Sequence, residues 1–473
     1  MAKSIEKSII EKIKSGLLVV LTISAILLLY FFWGNISLDD FDLTNNEEPY
    51  QIIDSKEVIT PDQIIVSMGE DSYLSASPDH WSEMMEGFRE FTAADSLIVE
   101  EITKDQYETV MQLPSVRAKF SFPISLPQLL QAYGIKENAA YDNVANVTEV
   151  GYGSVSKESL LVFDAVVKKY YRIITSAEGE KLDRLLRVLQ MENGSVYFSL
   201  GTLLGGDVDN GTLIPLSLET NLRGFEFYRE DYFLDKEVIG LVAQSFFGKT
   251  FDFVRKIEEG NGTVIYMYGY GEKVLIVNNE GVLEYKEETT GSGNQGDYIT
   301  SLQTALNFIA GHGGFESVNG IRYTPYLKQV RYSNKGYQFA FGIKLHGHKI
   351  CYQDKDPITI EVTGNQVSYF RRDLGELDEK KVLAGNEEYR EAYSAINMLA
   401  QNYEYLINPM GFKGTFEEIA ENITGIDPVY VIVNNDGDEK GQAMPVWLVT
   451  FDKLEAYFDL YSTEPVGYHA VKN

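Results

Sequence analysis

Cysteine is almost absent from this sequence, which has a single thiol, Cys351, in 473 residues. One cysteine excludes any disulfide within the chain, so a small scaffold stapled by disulfides is excluded as a fold class. Stability must therefore come from buried apolar cores. Hydrophobic residues make up 44% of the chain, which is enough to build such cores and argues against a disordered protein.

Positive charge is also scarce. The sequence has 41 Lys and Arg against 70 Asp and Glu, a net charge of −29 at pH 7. Polyanions repel such a chain, which argues against nucleic acid as a partner and against docking on anionic lipid or anionic wall polymer. The simplest interpretation of the acidity is solubility.

Residues with catalytic potential are few and poorly grouped. Only five histidines occur, and neither G-x-S-x-G nor H-E-x-x-H is found. Ser154 and Lys157 fit S-x-x-K without the partner motifs S-D-N and K-T-G. Asp207, Asp209 and Asn210 resemble the start of a calcium loop, but the glycine comes one place early and no Glu closes it. We predict no catalytic residue, no cofactor and no metal site, although a pair of carboxylates of glycosidase type stays open.

A long uncharged run is the most informative feature present. Residues 17–33 read LLVVLTISAILLLYFFW, with four lysines before the run and acidic residues after it. An apolar helix of about 17–25 residues spans a bilayer, and positive charge stays on the cytoplasmic side. We predict a cytoplasmic segment at 1–15, a transmembrane helix at 16–34 and an extracellular remainder, which makes this a single-pass protein of the cell membrane.

A cleaved signal peptide is the alternative interpretation of this run. Its apolar region is usually about 7–15 residues long and ends in small residues. This run is longer and ends in Tyr30, Phe31, Phe32 and Trp33. Aromatic side chains of this kind favour a membrane–water interface, so a retained anchor is the preferred interpretation.

Small and hydroxylated side chains within the span are candidates for contact with another membrane helix. They are Gly16, Thr22, Ser24 and Ala25. Such residues let helices approach closely and form hydrogen bonds in lipid. They are also tolerated at any position of a span, so a partner face and a neutral role stay equally open.

The region beyond the span predicts an α+β fold, with several domains of helices packed on antiparallel sheets. Residues 35–49 are a polar linker, and residues 50–230 alternate strand and helix patterns, an N-terminal α/β domain. This domain is predicted to contain a helix with an apolar stripe from Trp81 to Phe88. It is also predicted to contain a helix that Ser125 caps and that ends just before Gly134. Residues 231–290 predict a helix and β-hairpins, with a strand through Phe251, Phe253 and Arg255. Residues 297–473 predict two helix-plus-meander units.

Both units begin with a helix that has one apolar face. In the first unit this face contains Leu302, Ala305, Leu306 and Ile309. In the second it contains Tyr389, Ala392, Tyr393 and Ile396.

Two short motifs invite a ligand interpretation. Residues 291–296 match G-x-G-x-x-G, but the preceding strands predict hairpins rather than a parallel βαβ unit, so an interdomain linker is favoured. His346 and His348 would share one face of a strand and, with Cys351, could approach a metal ion. No third strong ligand is evident, and a pair of residues near a turn is favoured.

Several segments taken together resemble the YycH (WalH) family. They are ITPDQIIV at 59–66, KFSFPI at 119–124, FFG at 246–248, NGTVIY at 261–266, GVLEY at 281–285 and MPVW at 444–447. The resemblance covers most of the chain and lies in the order of these segments and in their general pattern. The second part, residues 231–473, is also similar to YycI.

The resemblance implies a regulator rather than an enzyme. Members of the family pair with a YycI-like protein and with the sensor histidine kinase WalK of the WalK/WalR (YycG/YycF) system, through membrane helices and extracytoplasmic domains. A regulator of this kind must bind one kinase conformation better than the other. The alternative function is an anchored extracellular wall-active enzyme or a ligand-binding module, which a deep pocket with perturbed carboxylates would favour.

Overall fold

The structure is a computed structural model, and residues 50–473 form one compact unit in it. The described residues are 51–69, 72–92, 97–136, 138–192, 194–205, 208, 210–216, 218, 221–228, 236–289, 296–316, 321–333, 335–352, 355–383, 391–408, 410–434 and 440–470. The predicted domain boundaries at 230 and 290 remain predictions.

No helix in the described part of the chain has both the length and the apolar character needed to span a bilayer. The predicted cytoplasmic segment 1–15, span 16–34 and linker 35–49 all lie outside the described residues, as does the small-residue face of the span.

The first layer is an antiparallel sheet of nine strands. These are β1 Gln63–Gly69, β2 Ser72–Ala76, β3 Leu97–Ile102, β4 Ser115–Ile124, β5 Val147–Gly153, β6 Ser159–Asp164, β7 Lys169–Thr175, β8 Val196–Ser199 and β9 Leu213–Pro215. Their order is β3-β7-β6-β5-β4-β1-β2-β8-β9. The predicted alternation with helices is present, but every described pairing in this sheet is antiparallel, as in an α+β fold.

Helices alternate with these strands along the chain. They are α1 Ser55–Val58, α2 Trp81–Thr92, α3 Lys104–Met111, α4 Leu126–Ala132, α5 Glu180–Leu189 and α6 Leu200–Leu203, with 3₁₀ turns at Pro78–His80 and Ala139–Tyr141. The predicted apolar stripe of α2 is buried, from Trp81 to Phe88. Ser125 caps α4 by accepting the Gln128 N–H, and Gly134 follows with φ +64°, both as the sequence predicts.

The second sheet has 15 strands. These are β10 Phe225–Tyr228, β11 Arg255–Glu258, β12 Val264–Tyr268, β13 Lys273–Val277, β14 Val282–Glu287, β15 Thr324–Ser333, β16 Gly336–Leu345, β17 His348–Tyr352, β18 Ile358–Thr363, β19 Gln366–Asp373, β20 Glu376–Val382, β21 Ile423–Asn434, β22 Lys440–Phe451, β23 Leu454–Asp459 and β24 Pro465–Ala470. The main path is β11-β12-β13-β14-β19-β18-β16-β17-β21-β22-β10-β20. β15 pairs with β16, β23 with β22, and β24 with β23. The pairing of β17 with β21 is parallel.

The helices of this part are α7 Lys236–Phe247, α8 Tyr298–Gly311, α9 Ala395–Gln401, α10 Tyr403–Ile407 and α11 Phe416–Ala420, with a 3₁₀ helix at Gly248–Phe253. The predicted face of α8 is buried, from Leu302 to Ile309. One continuous apolar core runs through both sheets, so the predicted α+β class with antiparallel sheets is confirmed.

Two predicted elements are wrong in detail. The strand expected through Phe251 and Phe253 is a 3₁₀ helix, because the Thr250 hydroxyl donates to the Phe247 carbonyl at 2.7 Å and the turn continues the winding of α7. Strand structure begins only at Arg255.

The second departure is the helix expected to contain Ala392 and Tyr393, which begins only at Ala395. Ser394 accepts the Asn397 N–H and fixes this start. Ala392 and Tyr393 therefore precede the helix, and Tyr389 lies outside the described residues.

Gly342 offers a test of the packing in β16. It lies opposite Tyr326 of β15, and a Cβ atom there would overlap the buried Tyr326 ring. We expect Gly342→Ala to lower the free energy of unfolding by about 1–3 kcal/mol, because a full core must shift to admit the methyl group. Urea denaturation measures this. Gly211→Ala is the matched control, since no atom lies near its Cβ, and an equal loss there would contradict the interpretation.

Candidate functional site

The two sheets meet at a cluster of charged side chains, which we call the junction and define by Asp62, Gln63, Lys344, Lys349 and Asp427. Asp62 lies directly before β1, and its backbone N–H donates to the Lys119 carbonyl at 2.7 Å. Its carboxylate lies 3.0 Å from Nζ of Lys349 and 3.6 Å from Nζ of Lys344. One carboxylate of the first sheet therefore pairs with two lysines of the second.

A tight turn explains why both lysines face Asp62. His346 and Gly347 connect β16 to β17 with φ values of +50° and +85°. Positive φ at both central residues is the geometry of a type I′ hairpin turn. Lys344 and Lys349 become direct cross-strand partners on one face, where two cations alone would repel.

A ring supports the same pair of lysines. The Nζ atoms of Lys344 and Lys349 lie 5.1 and 5.4 Å from the centroid of the Tyr326 ring, within reach of a cation–π interaction. Gly342 leaves room for this ring, so the turn, the ring and the ion pairs form one packed unit.

Burial and ion pairing have opposite effects on the pKa values of these groups. Burial raises the pKa of Asp62, but Lys349 and Lys344 outweigh it and leave the pKa below its ordinary value. Burial lowers the pKa of Lys344 despite the attraction of Asp62. Burial acts in the same direction on Lys349, but Asp62 and Asp427 raise its pKa above the ordinary value. The ionised Asp62–Lys349 pair is therefore the stable form near neutral pH.

Gln63 makes the second connection of the junction. Its side-chain amide donates to Asp427 of β21 at 2.7 Å. Burial raises the pKa of Asp427, more than Lys349 lowers it. Two consecutive residues at the start of β1 thus bind two different places in the second sheet, the β16–β17 hairpin and β21.

A pocket of about 400 Å³, with both apolar and polar lining groups, lies beside the same turn. Its lining residues are Asn221, Leu222, Arg223, Phe225, His346, His348, Glu379, Val382 and Tyr430. Nδ1 of His348 lies 3.2 Å from the Pro428 carbonyl, so it carries the proton that this acceptor requires. Nε2 of His346 lies 3.5 Å from a carboxylate oxygen of Glu379.

The prediction that His346 and His348 share one face of a strand is wrong. His346 occupies the turn, and His348 opens β17. Cys351 lies three positions after His348, on the opposite face of the strand, and burial raises the pKa of its thiol to about 12. Among the described residues no three His, Cys, Asp or Glu side chains come together as metal ligands.

The remaining sequence candidates have structural roles or lie outside the described residues. Lys157 binds Asp183 at 2.9 Å. The Asn210 amide donates to the carbonyls of Ala420 and Ile423, both at 2.8 Å, and so ties its loop to the second sheet. The positions outside the described residues are Gly16, Thr22, Ser24, Ala25, Asp207, Asp209 and 291–295.

The N-terminal part of the chain matches a known family model. Residues 11–136 match the family model described as "YycH protein, N-terminal domain". The predicted resemblance to the YycH family is confirmed. The matched stretch contains the apolar run, strands β1 to β4 and the junction residues Asp62 and Gln63.

Solved structures extend the likeness in fold to most of the chain. The crystal structure of YycH from Bacillus subtilis matches with a TM-score of 0.52 and 9% identity, over 85% of this chain and 96% of that one. The C-terminal domain of YpeB from Bacillus megaterium gives a TM-score of only 0.26 at 11% identity, over 50% of this chain and 98% of that one. The first match establishes a common fold with YycH. A search of curated proteins found no match.

Sequence reasoning did not identify the junction. In the sequence, Asp62 and Gln63 stand out only as part of the segment that resembles YycH. The lysines gave a usable signal, because they flank His346 and Gly347 symmetrically and a two-residue hairpin turn would place them opposite each other. Their distant partner Asp62 left no such signal.

Asp62→Asn tests the junction. The amide cannot neutralise Lys344 and Lys349, so we expect the free energy of unfolding to fall by about 2–4 kcal/mol, somewhat less than when a fully buried pair loses one partner, because Asp62 and Lys349 are only partly buried. Urea denaturation at pH 7 measures the change. Glu108→Gln is the control, because its pair with Lys104, 3.4 Å apart on α3, is exposed and contributes less than about 1 kcal/mol. Equal effects would contradict a special role of the junction.

The burial of His348 leads us to expect a lower free energy of unfolding in mild acid. Burial holds the pKa of its imidazole below the ordinary value of 6.5, so the unfolded chain binds a proton that the folded chain does not. Stability is then full above pH 6.5 and falls as the pH drops below it, by about 1.4 kcal/mol for each pH unit until the folded pKa is reached.

Urea denaturation of the parent chain and of His348→Gln, at pH 7.5 and 5.5, checks this. We expect a smaller difference between the two pH values in the variant. Part of the difference will persist, because burial also lowers the pKa of His312. An unchanged difference would show that His348 does not contribute.

Proposed function

We propose that this chain is a membrane-anchored regulatory protein that modulates a WalK-like sensor histidine kinase. The family match over residues 11–136 is the observation that carries the proposal. The fold shared with YycH over 85% of the chain supports it. A regulator of the WalK/WalR system, rather than a catalyst, is the role that this relationship implies.

The proposed contacts involve both the span and the ectodomain. The sequence at 16–34 supplies one helix for packing beside the helices of a kinase, and Gly16, Thr22, Ser24 and Ala25 form its candidate face. A YycI-like protein is the second proposed partner. To shift the kinase, the complex must bind one kinase conformation better than the other. Whether the complex activates or inhibits the kinase depends on which conformation it favours.

The junction gives the ectodomain a means of coupling. Asp62 and Gln63 lie in the matched region, near the start of the described chain, and each bonds to the second sheet. A displacement of β1 would therefore reach the β16–β17 hairpin and β21 through charged and hydrogen-bonded contacts rather than through a flexible linker.

The pocket beside the β16–β17 turn supports a second candidate function, a ligand-binding module or wall-active enzyme anchored to the membrane. Arg223, His346 and Glu379 bring groups of both signs to its lining. Binding of soluble wall fragments to the full chain, reduced when His346 and Glu379 are both replaced by alanine, would favour this function.

A crosslinking pull-down from native membranes tests the main proposal. The full chain is compared with a chain whose residues 17–33 are replaced by an unrelated span. We expect the native chain to recover a sensor kinase and a YycI-like protein. Loss with the replaced span would place the decisive contact in the membrane, and retention would place it in the ectodomain. Recovery of neither protein by the native chain would contradict the proposal.

A matched pair of span variants refines the result. In one variant leucine replaces the candidate face, Gly16, Thr22, Ser24 and Ala25. In the control, leucine replaces four apolar neighbours, Val19, Val20, Ile23 and Ile26. Both variants remain apolar enough to span. We expect kinase recovery to fall only in the first, and an equal fall in both would contradict the assignment of the face.

A further inference from the structure

The pocket beside the β16–β17 turn is built on regular strands of the second sheet. Phe225 of β10, Val382 of β20, Tyr430 of β21 and His348 of β17 all contribute to its lining. Phe225 and Val382 are direct cross-strand partners, and the rings of Phe225 and Tyr430 lie 6.0 Å apart. Because cross-strand partners share one face of a sheet, the pocket has an apolar and aromatic base that the strands hold in place.

Arg223 brings a positive charge to this pocket, and no described residue neutralises it. Its guanidinium forms no ion pair or hydrogen bond in the described part of the chain, although acidic residues outnumber basic ones by 70 to 41. The backbone on both sides of Arg223 is fixed. The Tyr461 hydroxyl donates to the Leu222 carbonyl at 2.7 Å, and the Leu383 N–H donates to the Gly224 carbonyl at 2.9 Å. A free guanidinium on a fixed backbone is well suited to bind a carboxylate.

Two further lining groups have unused hydrogen-bonding capacity. Burial keeps the pKa of His348 below its ordinary value, so the ring is neutral at pH 7, and with Nδ1 donating to the Pro428 carbonyl its Nε2 is an acceptor. Tyr430 is only 1% exposed. Neither Nε2 of His348 nor the Tyr430 hydroxyl has a partner among the described residues, and neither is cut off from solvent, so both open onto the pocket. A ligand that supplies hydrogen bonds to these groups is stabilised by them.

Glu379 adds a negative charge to the same lining. Its carboxylate lies 3.5 Å from Nε2 of His346, whose side chain is 64% exposed. An exposed pair at this distance is a weak interaction, and a carboxylate accepts several hydrogen bonds, so Glu379 keeps capacity for a further donor. The pocket therefore presents one cation, one anion and neutral hydrogen-bonding groups beside an apolar base.

The charges of the pocket and of the whole chain decide which class of ligand it suits. A purely anionic ligand would meet Glu379 and the field of a chain with net charge −29. A purely cationic ligand would leave Arg223 unpaired. We propose that this pocket binds a small zwitterion that has an α-ammonium group and an α-carboxylate group, a free amino acid or a short peptide. The carboxylate of the ligand binds Arg223, and its ammonium group donates to Glu379 and to Nε2 of His348.

The size of the pocket limits the length of this ligand. A volume of about 400 Å³ lies at the small end of the range of ligand pockets, roughly 300–1,000 Å³. It suits one or two amino-acid residues, with apolar side chains against Phe225 and Val382, rather than a polymer. The inference rests on the second candidate function, the ligand-binding module, and names the class of ligand for that same pocket.

Leucyl-leucine and its capped forms test the need for both charges. Isothermal titration calorimetry of the full chain in detergent at pH 7.5 measures their affinities. N-acetyl-leucyl-leucine lacks the ammonium group, and leucyl-leucine amide lacks the carboxylate. We expect leucyl-leucine to bind and each capped form to bind at least about tenfold more weakly, because each loses a charge-assisted hydrogen bond. Titration with free leucine shows whether an amino acid or a dipeptide binds more tightly.

Two single substitutions assign the two ends of the ligand. We expect Arg223→Gln to weaken binding of leucyl-leucine at least about fivefold and to leave the affinity for leucyl-leucine amide unchanged. We expect Glu379→Gln to weaken binding of leucyl-leucine and to leave the affinity for N-acetyl-leucyl-leucine unchanged. Arg255→Gln is the matched control, because Arg255 is an exposed arginine without an ion pair in the described residues and lies on β11, at the other end of the main sheet path.

Three results would overturn the proposal. The first is failure of both leucine and leucyl-leucine to bind. The second is equal affinity for leucyl-leucine and N-acetyl-leucyl-leucine, which would identify a site for anions. The third is an equal effect of Arg223→Gln and Arg255→Gln, which would show that the dipeptide binds outside this pocket.

The titration with soluble wall fragments separates a failure of this proposal from a failure of the ligand-binding function. If wall fragments bind through His346 and Glu379 while leucine and leucyl-leucine do not bind, the ligand-binding function stands and the zwitterion class is overturned. If neither kind of ligand binds, both are overturned. Kinase recovery is measured separately, so these outcomes are independent of the main proposed function.

Discussion

The attraction between Asp62 and the two lysines of the β16–β17 hairpin holds the arrangement of the two sheets. A type I′ turn places Lys344 and Lys349 side by side, and without a carboxylate between them they would repel. The carboxylate comes from the first sheet, almost 300 positions earlier in the chain. The first sheet therefore helps to hold the hairpin in its geometry.

Asp62 and Gln63 thus give the two sheets a direct polar connection. Asp62 holds the hairpin and Gln63 holds β21, while the apolar core continues across the same boundary. A regulator that favours one state of its partner needs differential contacts, and a stiff body transmits a small displacement at one surface to another. The pocket adjoins the β16–β17 turn through His346, so a group bound there would contact the hairpin directly.

The sequence predicted local structure better than it predicted the junction. The buried stripe from Trp81 to Phe88 and the capped start of α4 follow from periodicity and capping, which neighbouring residues determine. The 3₁₀ helix after α7 was predicted as a strand, because its aromatic residues alternate like those of a strand. The ion pair between Asp62 and Lys349 depends on tertiary packing. No sequence pattern predicts a contact between positions so far apart in the chain.

The short strand β10 has a consequence for how the chain acquires its structure. Phe225–Tyr228 lies between β20 and β22, so its two neighbours are Glu376–Val382 and Lys440–Phe451. A ribosome must synthesise nearly the whole polypeptide before this strand finds either partner. Such high contact order slows folding and prolongs the exposure of unfinished edges. The completion of this part of the second sheet therefore waits for strands that come late in the chain.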